Sequence, residues 1–293
     1  MQVIAAVILL LGVLSYFSEP SRYERQIERI MRSLFPNSKS IQVKVKGHGG
    51  LKALRGELDL VEITVVGAKA KSDALAKFIA YSDGNQPGEE TVTPTPSTAK
   101  QRVIRQVGYI ANVALKFSDC EFDGMPFAEL TVELSKVRYD LNKLLDEHRI
   151  WLIDLDEGWF SLKLSSSFIC SIVEGKMAEN GFIQARAKLD SQKISVESYY
   201  PIWWLRVPFS VSGVLHVVPP CSVAFKPESL KVFSVIPVPA STVEWLIGRA
   251  EFSFELAFMK LPLEPHLTSV RAAEDVMEFR GILRLPAAKG AEL

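Results

Sequence analysis

Cysteine is scarce in this 293-residue chain: Cys120, Cys170 and Cys221 are the only three, and they are spread widely. No CxxC pair and no Cys/His metal spacing occurs, so neither a disulfide framework nor a metal site is expected. Buried apolar thiols are the expected state. Histidine is equally sparse, with His48, His148, His216 and His266 standing apart and no ligand pattern around any of them. His48 lies in KGHGG, which reads as a turn. His216 alternates with apolar residues on a strand and reads as solvent-facing. Net charge is missing too: Lys plus Arg and Asp plus Glu each number 34. That removes the overall electrostatic footprint of a nucleic-acid-binding chain. Bulk attraction to anionic lipid heads lacks support on the same count, so any lipid affinity must come mainly from apolar burial.

Catalytic signatures are also absent. There is no GxSxG elbow, no P-loop, no HExxH and no GxGxxG opening a helix. Acidic pairs such as Asp154 and Asp156, or Glu274 and Asp275, fall in expected turns, and turn chemistry accounts for them. The chain reads as a non-enzyme without cofactor or metal.

What the sequence does have is apolar material, 48% hydrophobic against 23% charged residues, enough for one large β domain or two ordinary ones. Its N-terminus holds an uninterrupted apolar run, Val3 to Phe17. A spanning helix needs about 17–25 residues, and extending the run over residues 1–18 reaches the lower edge of that range. An uncleaved transmembrane anchor is therefore expected. A cleaved signal competes, although no Lys or Arg precedes the run and no A-x-A site follows it; a buried helix is the third reading. Arg22, Arg25, Arg29 and Arg32 follow the run, and the positive-inside rule would keep them in the cytoplasm. The membrane side stays open on the residues alone. Residues 19–36 read as an amphipathic juxtamembrane helix, with Tyr23, Ile27, Ile30, Met31 and Leu34 on one face. Such a helix either lies along the membrane or caps the end of the domain.

Residues 37–285 read as one β-rich domain, and 286–293 as a tail. The dominant period is two: Ile41, Val43 and Val45; Leu130, Val132 and Leu134; Phe160, Leu162 and Leu164, continuing through Phe168, Cys170 and Ile172. The same alternation returns in Phe209, Val211, Gly213, Leu215 and Val217, in Phe252, Phe254, Leu256 and Phe258, and in Met277, Phe279, Gly281 and Leu283. Half-buried strands joined by short polar turns imply a long antiparallel sheet with one apolar face. Two short helices are expected, Ser72–Tyr81 and Tyr139–Arg149, with a mobile Gly/Pro/Thr-rich surface loop at 82–98.

Two modest helices are little cover for so many apolar strands. The expected fold is α+β, mostly β, with a long curled antiparallel sheet. Two interiors satisfy the pattern, a dry core filled by side chains, which the pattern alone favours, and an elongated apolar cavity that the sheet encloses as it wraps a short helix. Leu130, Val132, Leu134, Leu162, Leu164, Phe168, Phe209, Val211, Leu215, Phe252, Phe254, Leu256 and Phe258 are the candidate lipid-lining residues. The cluster Tyr199-Tyr200-Pro201-Ile202-Trp203-Trp204 lies between two strands. Large aromatics in a connection pack on the domain, dock on a membrane or guard a cavity mouth. Tyr200, Trp203 and Trp204, with Trp245 as a weaker addition, are the candidates for membrane contact or a cavity rim.

The order of these segments resembles the LmeA-type family of bacterial envelope proteins that bind phospholipid. The segments are IQVKVKG from Ile41, LKALRGELDLVEITVVG with Gly56 and Glu57, CEFDGMPFAELTVELSKVRYDLNKLLDE, and FSFELAFMKLPLEPHLTSVRAAEDVMEFRGIL. Together they span roughly residues 40 to 284; each is weakly specific, and their order and spacing carry the match. The Pro/Thr-rich loop departs from the family as an insertion, and the N-terminus departs in lacking a positive start. The resemblance implies a tubular lipid-binding-like fold with an apolar cavity, an export signal or anchor, and an extracytoplasmic position. A phospholipid or other apolar lipid, and a membrane, are the partners it implies. A scaffolding envelope protein with a filled β core that binds another protein is the competing expectation.

Overall fold

The computed structural model describes residues 20–47, 52, 55–71, 79–81, 106–141, 150–190, 193–232, 245, 248, 250–255, 263–273 and 275–286. The first helix, α1 (Pro20–Leu34), opens on a proline whose fixed φ suits a first helical turn. Ile27, Met31 and the following Phe35 are buried, and the helix packs on β1 (Ser40–Lys46). The Val45 N–H donates to Glu24 Oε1 at 2.8 Å, tying helix to strand. The apolar stripe of α1 is thus spent inside the protein, as the end-cap reading expects.

Strands make up most of the rest. β2 (Glu57–Val66), β3 (Lys69–Ala70), β4 (Ile79–Tyr81), β5 (Val107–Phe122), β6 (Met125–Asp140), β7 (Ile150–Asp154) and β8 (Glu157–Ser165) precede a second helix, α2 (Ser166–Glu179). After it come β9 (Ile183–Asp190), β10 (Lys193–Ile202), β11 (Leu205–Val218), β12 (Ser222–Val232), β13 (Phe252–Glu255), β14 (Glu264–Ala273) and β15 (Val276–Arg284). The main sheet runs β1-β2-β5-β6-β8-β15-β14 and curls into a half-barrel, with β3 on β5, β7 on β6 and β4 on β7. A second sheet, β13-β12-β11-β10-β9, is antiparallel throughout.

The long β5–β6 hairpin is the keel of the main sheet. Its two-residue turn, Asp123 at φ 49° and Gly124 at φ 81°, is left-handed at both positions, the twist that two-residue hairpins require. At this end Phe35, Phe117, Phe122 and Phe127 form an aromatic box with ring centroids 5.0–6.1 Å apart. Along β6, Leu130, Val132 and Leu134 turn inward and are buried, opposite Leu162, Phe160 and Gly158 of β8.

Several expectations are corrected. The main sheet is mixed, because β2 pairs with β5 in parallel, as do β3 with β5 and β4 with β7. An alternating pattern does not encode strand direction, and a long connection, unlike a tight turn, permits a parallel return. Tyr139 and Asp140 end β6, so the helix expected from Tyr139 is first seen at Leu141, and Ile79–Tyr81 is a strand. Residues 1–18, 72–78, 82–98 and 142–149, with the anchor, the loop and the rest of the two expected helices, lie outside the described residues.

The largest correction is α2. Residues 168–172 do not continue β8: Ser165 caps a helix, its hydroxyl oxygen accepting from the Phe168 N–H at 3.3 Å. Ile169, Cys170, Val173 and Met177 face inward, and Gly181 at φ 89°, just beyond the C-terminal cap Asn180, stops the helix as left-handed glycines do. Phe168 is therefore a partly buried helix residue and not a strand residue. α2 packs chiefly on β9 and touches β8 and β15, so it bridges the two sheets.

Candidate functional site

The expected lining residues fall into two groups. Leu130, Leu162, Leu164 and Val211 have 0% of their surface accessible, and Val132, Leu134 and Phe209 are buried almost as fully. A side chain bordering a void large enough for water or lipid would retain accessible surface. All seven belong to the close-packed core, and Phe209 alone also reaches the edge of a surface cleft along β9–β11. Phe252 stacks on Phe225 at 5.3 Å and is buried as well. Phe254 and Leu215 are only partly buried, while Leu256 and Phe258 lie outside the described residues.

Leu215 borders a cleft. Between β11 of the second sheet and the β14–β15 edge of the main one is a space of about 410 Å³ lined by Val214, Leu215, Val270, Arg271, Ala272 and Met277. That lies within the range of small-ligand sites, roughly 300–1,000 Å³. Five of the six lining residues are apolar by type, but polar atoms make up about half of the exposed lining. The sixth, Arg271, is exposed and makes no ion pair among the described residues. The two sheets are tied close by, where the Leu267 N–H donates to the Pro220 carbonyl at 2.8 Å. Sequence reasoning missed Val214, Val270, Arg271, Ala272 and Met277 as lining residues, because the cleft takes both faces of a strand at the seam between sheets. His216, read as solvent-facing, has its Nδ1 buried with no hydrogen-bond partner among the described residues.

Two further clefts differ in chemistry. One of about 730 Å³ lies along β9–β11 and is lined by Gln184, Ala185, Arg186, Glu197, Ser198, Tyr199, Pro208 and Phe209, a largely polar set. The other, about 540 Å³, is on the outer face of the main sheet, where Glu129, Lys163, Glu278 and Arg280 surround Trp159 and Ile282. Burial of Glu278 works against its ionisation, but hydrogen bonds from Ser161 and Arg280, together with the charges of Arg280 and Lys163, hold the carboxyl below its usual range. Burial pushes the thiols of Cys120, Cys170 and Cys221 up, so all three are poor nucleophiles at neutral pH.

The aromatic cluster forms a hairpin tip. Trp203 and Trp204 are the two turn residues between β10 and β11, since Ile202 pairs with Leu205. They are 88% and 82% exposed, with ring centroids 5.7 Å apart. Tyr200 is buried beneath them, edge-on to Trp245 at 5.1 Å and to Phe182 at 5.1 Å; Phe182 in turn meets Phe209 at 5.0 Å. Tyr200 is thus a packing residue, whereas Trp203, Trp204 and the half-exposed Trp245 reach solvent. No helix among the described residues is long and apolar enough to cross a membrane.

No protein-family model, no curated protein and no solved structure matches this chain.

Proposed function

We propose that this chain binds phospholipid or another apolar lipid, in the service of lipid transfer or envelope maintenance, as a non-catalytic protein held at a membrane on its extracytoplasmic side. The observation that carries the reading is the cleft between the sheets, lined by Val214, Leu215, Val270, Ala272 and Met277 with the single cation Arg271 beside them, its exposed lining about equally apolar and polar. The apolar part suits an acyl chain, and a guanidinium suits a phosphate because its paired N–H groups match two oxygens. The resemblance of the sequence to the LmeA-type family supports the same reading.

The test is organic extraction of the purified protein followed by lipid mass spectrometry, for the parent and for Leu215→Trp and Val270→Trp. Phospholipid in the parent, reduced in both variants at unchanged thermal stability, is the expected result. A parent that carries no lipid and takes none up from added phospholipid would overturn it. A second reading, a scaffold that binds another protein, is favoured by the close packing of the inner strand faces. It predicts a lipid-free parent whose cleft variants behave as the parent does.

A further inference from the structure

We infer that the Trp203–Trp204 hairpin tip is a membrane-docking finger that seats both indoles in the interface of a lipid bilayer. Three independent features of the tip point there.

The first is exposure. A pair of side chains this large, 88% and 82% exposed at the end of a hairpin, leaves apolar surface in water that the rest of the fold does not cover. Trp159 and Trp245, by comparison, are 43% and 45% exposed and lie against the body of the protein.

The second is backbone strain. Trp203 sits at φ 54°, in the left-handed region where a bulky side chain is a real outlier. Two-residue turns favour Gly, Asn or Asp at such a position because those residues adopt it at little cost. The β5–β6 turn of this same chain follows that rule with Asp123 and Gly124. Turn chemistry therefore does not account for tryptophan at 203. A strained position occupied by a bulky residue marks a side chain kept for what it touches.

The third is the chemistry of the surroundings. Ser198 to Val207 contains no acidic residue and one cation, Arg206, which is exposed next to the tip. Indole is apolar over most of its ring and carries one N–H donor, which suits the headgroup level of a bilayer, and a neighbouring cation meets lipid phosphates. A bilayer accepts a narrow two-residue protrusion without a matching pocket. The tip is also backed firmly: Tyr200, Phe182 and Phe209 run in ring-to-ring contact from its base into the core. Docking would then bring the tip end of the β10–β11 hairpin, and with it that end of the five-stranded sheet, to the membrane. The sequence also holds the apolar run Val3 to Phe17, which suits a chain that works beside a bilayer. This finger stands apart from the cleft between the sheets, so either proposal can fail without the other.

The test uses the full-length chain with vesicles of phosphatidylcholine and phosphatidylglycerol, with and without brominated acyl chains, and reads tryptophan emission. The parent is compared with Trp203→Phe plus Trp204→Phe, which keeps Trp151, Trp159 and Trp245 as internal reporters. Expected is a blue shift and bromine quenching in the parent, most of both being lost in the double variant. Circular dichroism checks that the variant is folded, and each single variant, which should lose part of the signal, is read as well. Equal quenching of parent and variants, or none in either, would overturn the inference. So would a blue shift that follows protein concentration without lipid, since the pair would then be meeting a second copy of this chain.

Discussion

The Tyr139 hydroxyl donates to the Gly56 carbonyl oxygen at 3.1 Å, linking the end of β6 to the start of β2. The Tyr139 ring lies against Gly108, where a Cβ would meet its Cε1 at 2.6 Å. Burial raises the phenol pKa well above its usual value, so the hydroxyl stays a donor at any working pH. Tyr139→Phe should cost about 0.5–1.5 kcal/mol, the value of one hydrogen bond, because the Gly56 carbonyl keeps the Tyr109 N–H as a partner. Gly108→Ala should cost about 1–3 kcal/mol or more through overpacking. Urea unfolding of the two variants gives the order; a Gly108→Ala protein as stable as the parent would contradict the packing.

Close-packed strand faces make a sharp prediction for Leu162 and Phe209. Leu162→Ala should cost about 2–5 kcal/mol, since its site cannot refill, and Phe209→Ala about 3–5 kcal/mol, toward the lower end if water enters from the adjoining cleft. Leu162→Trp should destabilise by about 1–3 kcal/mol or more. Thermal unfolding of lipid-stripped protein reads all three. Variants that fold as well as the parent but carry less lipid would show instead that these residues line a ligand site.

Ser165 decides where β8 stops and α2 begins. Its side chain accepts from the Phe168 N–H, so Ser165→Ala should lower stability by about 0.5–2 kcal/mol, while Ser165→Asp should retain most of it. Equal losses in both variants, measured by chemical denaturation, would count against the cap.

Glu129 accepts from Lys163 at 3.0 Å, and its other oxygen lies 3.3 Å from Lys116. The hydrogen bond from Lys163 holds its carboxyl below the usual range; partial burial opposes this, and Lys116 adds to it. A depressed folded pKa contributes stability that is complete above the unfolded carboxylate pKa and is lost as pH falls through the folded one. Both side chains reach solvent, so the contribution is about 0.2–1 kcal/mol. Glu129→Gln should show that deficit at neutral pH and none in strong acid. A deficit independent of pH, in parallel urea titrations, would assign the loss to something other than charge.

Period-two alternation made much of the sheet legible: Ile41 to Val45, Leu130 to Leu134 and Phe160 to Leu164 are strands whose apolar members face inward. It failed at Phe168 to Ile172 because SFICSIV is apolar on every side, and a short run of that kind has no readable period. The end signals were present nonetheless, a run of serines at 165–167 before it and Asn180-Gly181 after it. The seam cleft was illegible for a different reason. Val214 and Leu215 are adjacent, so they belong to opposite faces of β11, and only the meeting of two sheets brings both to one space. The hairpin tip was visible as a cluster, but the division of labour between buried Tyr200 and exposed Trp203 and Trp204 depends on the register Ile202 to Leu205.

The parallel pairing of β2 with β5 imposes an order of assembly. As the chain leaves the ribosome, the β1–β2 hairpin can close at once, but the outer edge of β2 stays unsatisfied until β5 arrives. Contacts of such sequence separation form late and slow the search for the native state. An open edge of alternating Leu58, Val61, Ile63 and Val65 is sticky in the meantime. The nascent chain is therefore open to aggregation through this edge after β2 has emerged and before the β5–β6 hairpin closes over it.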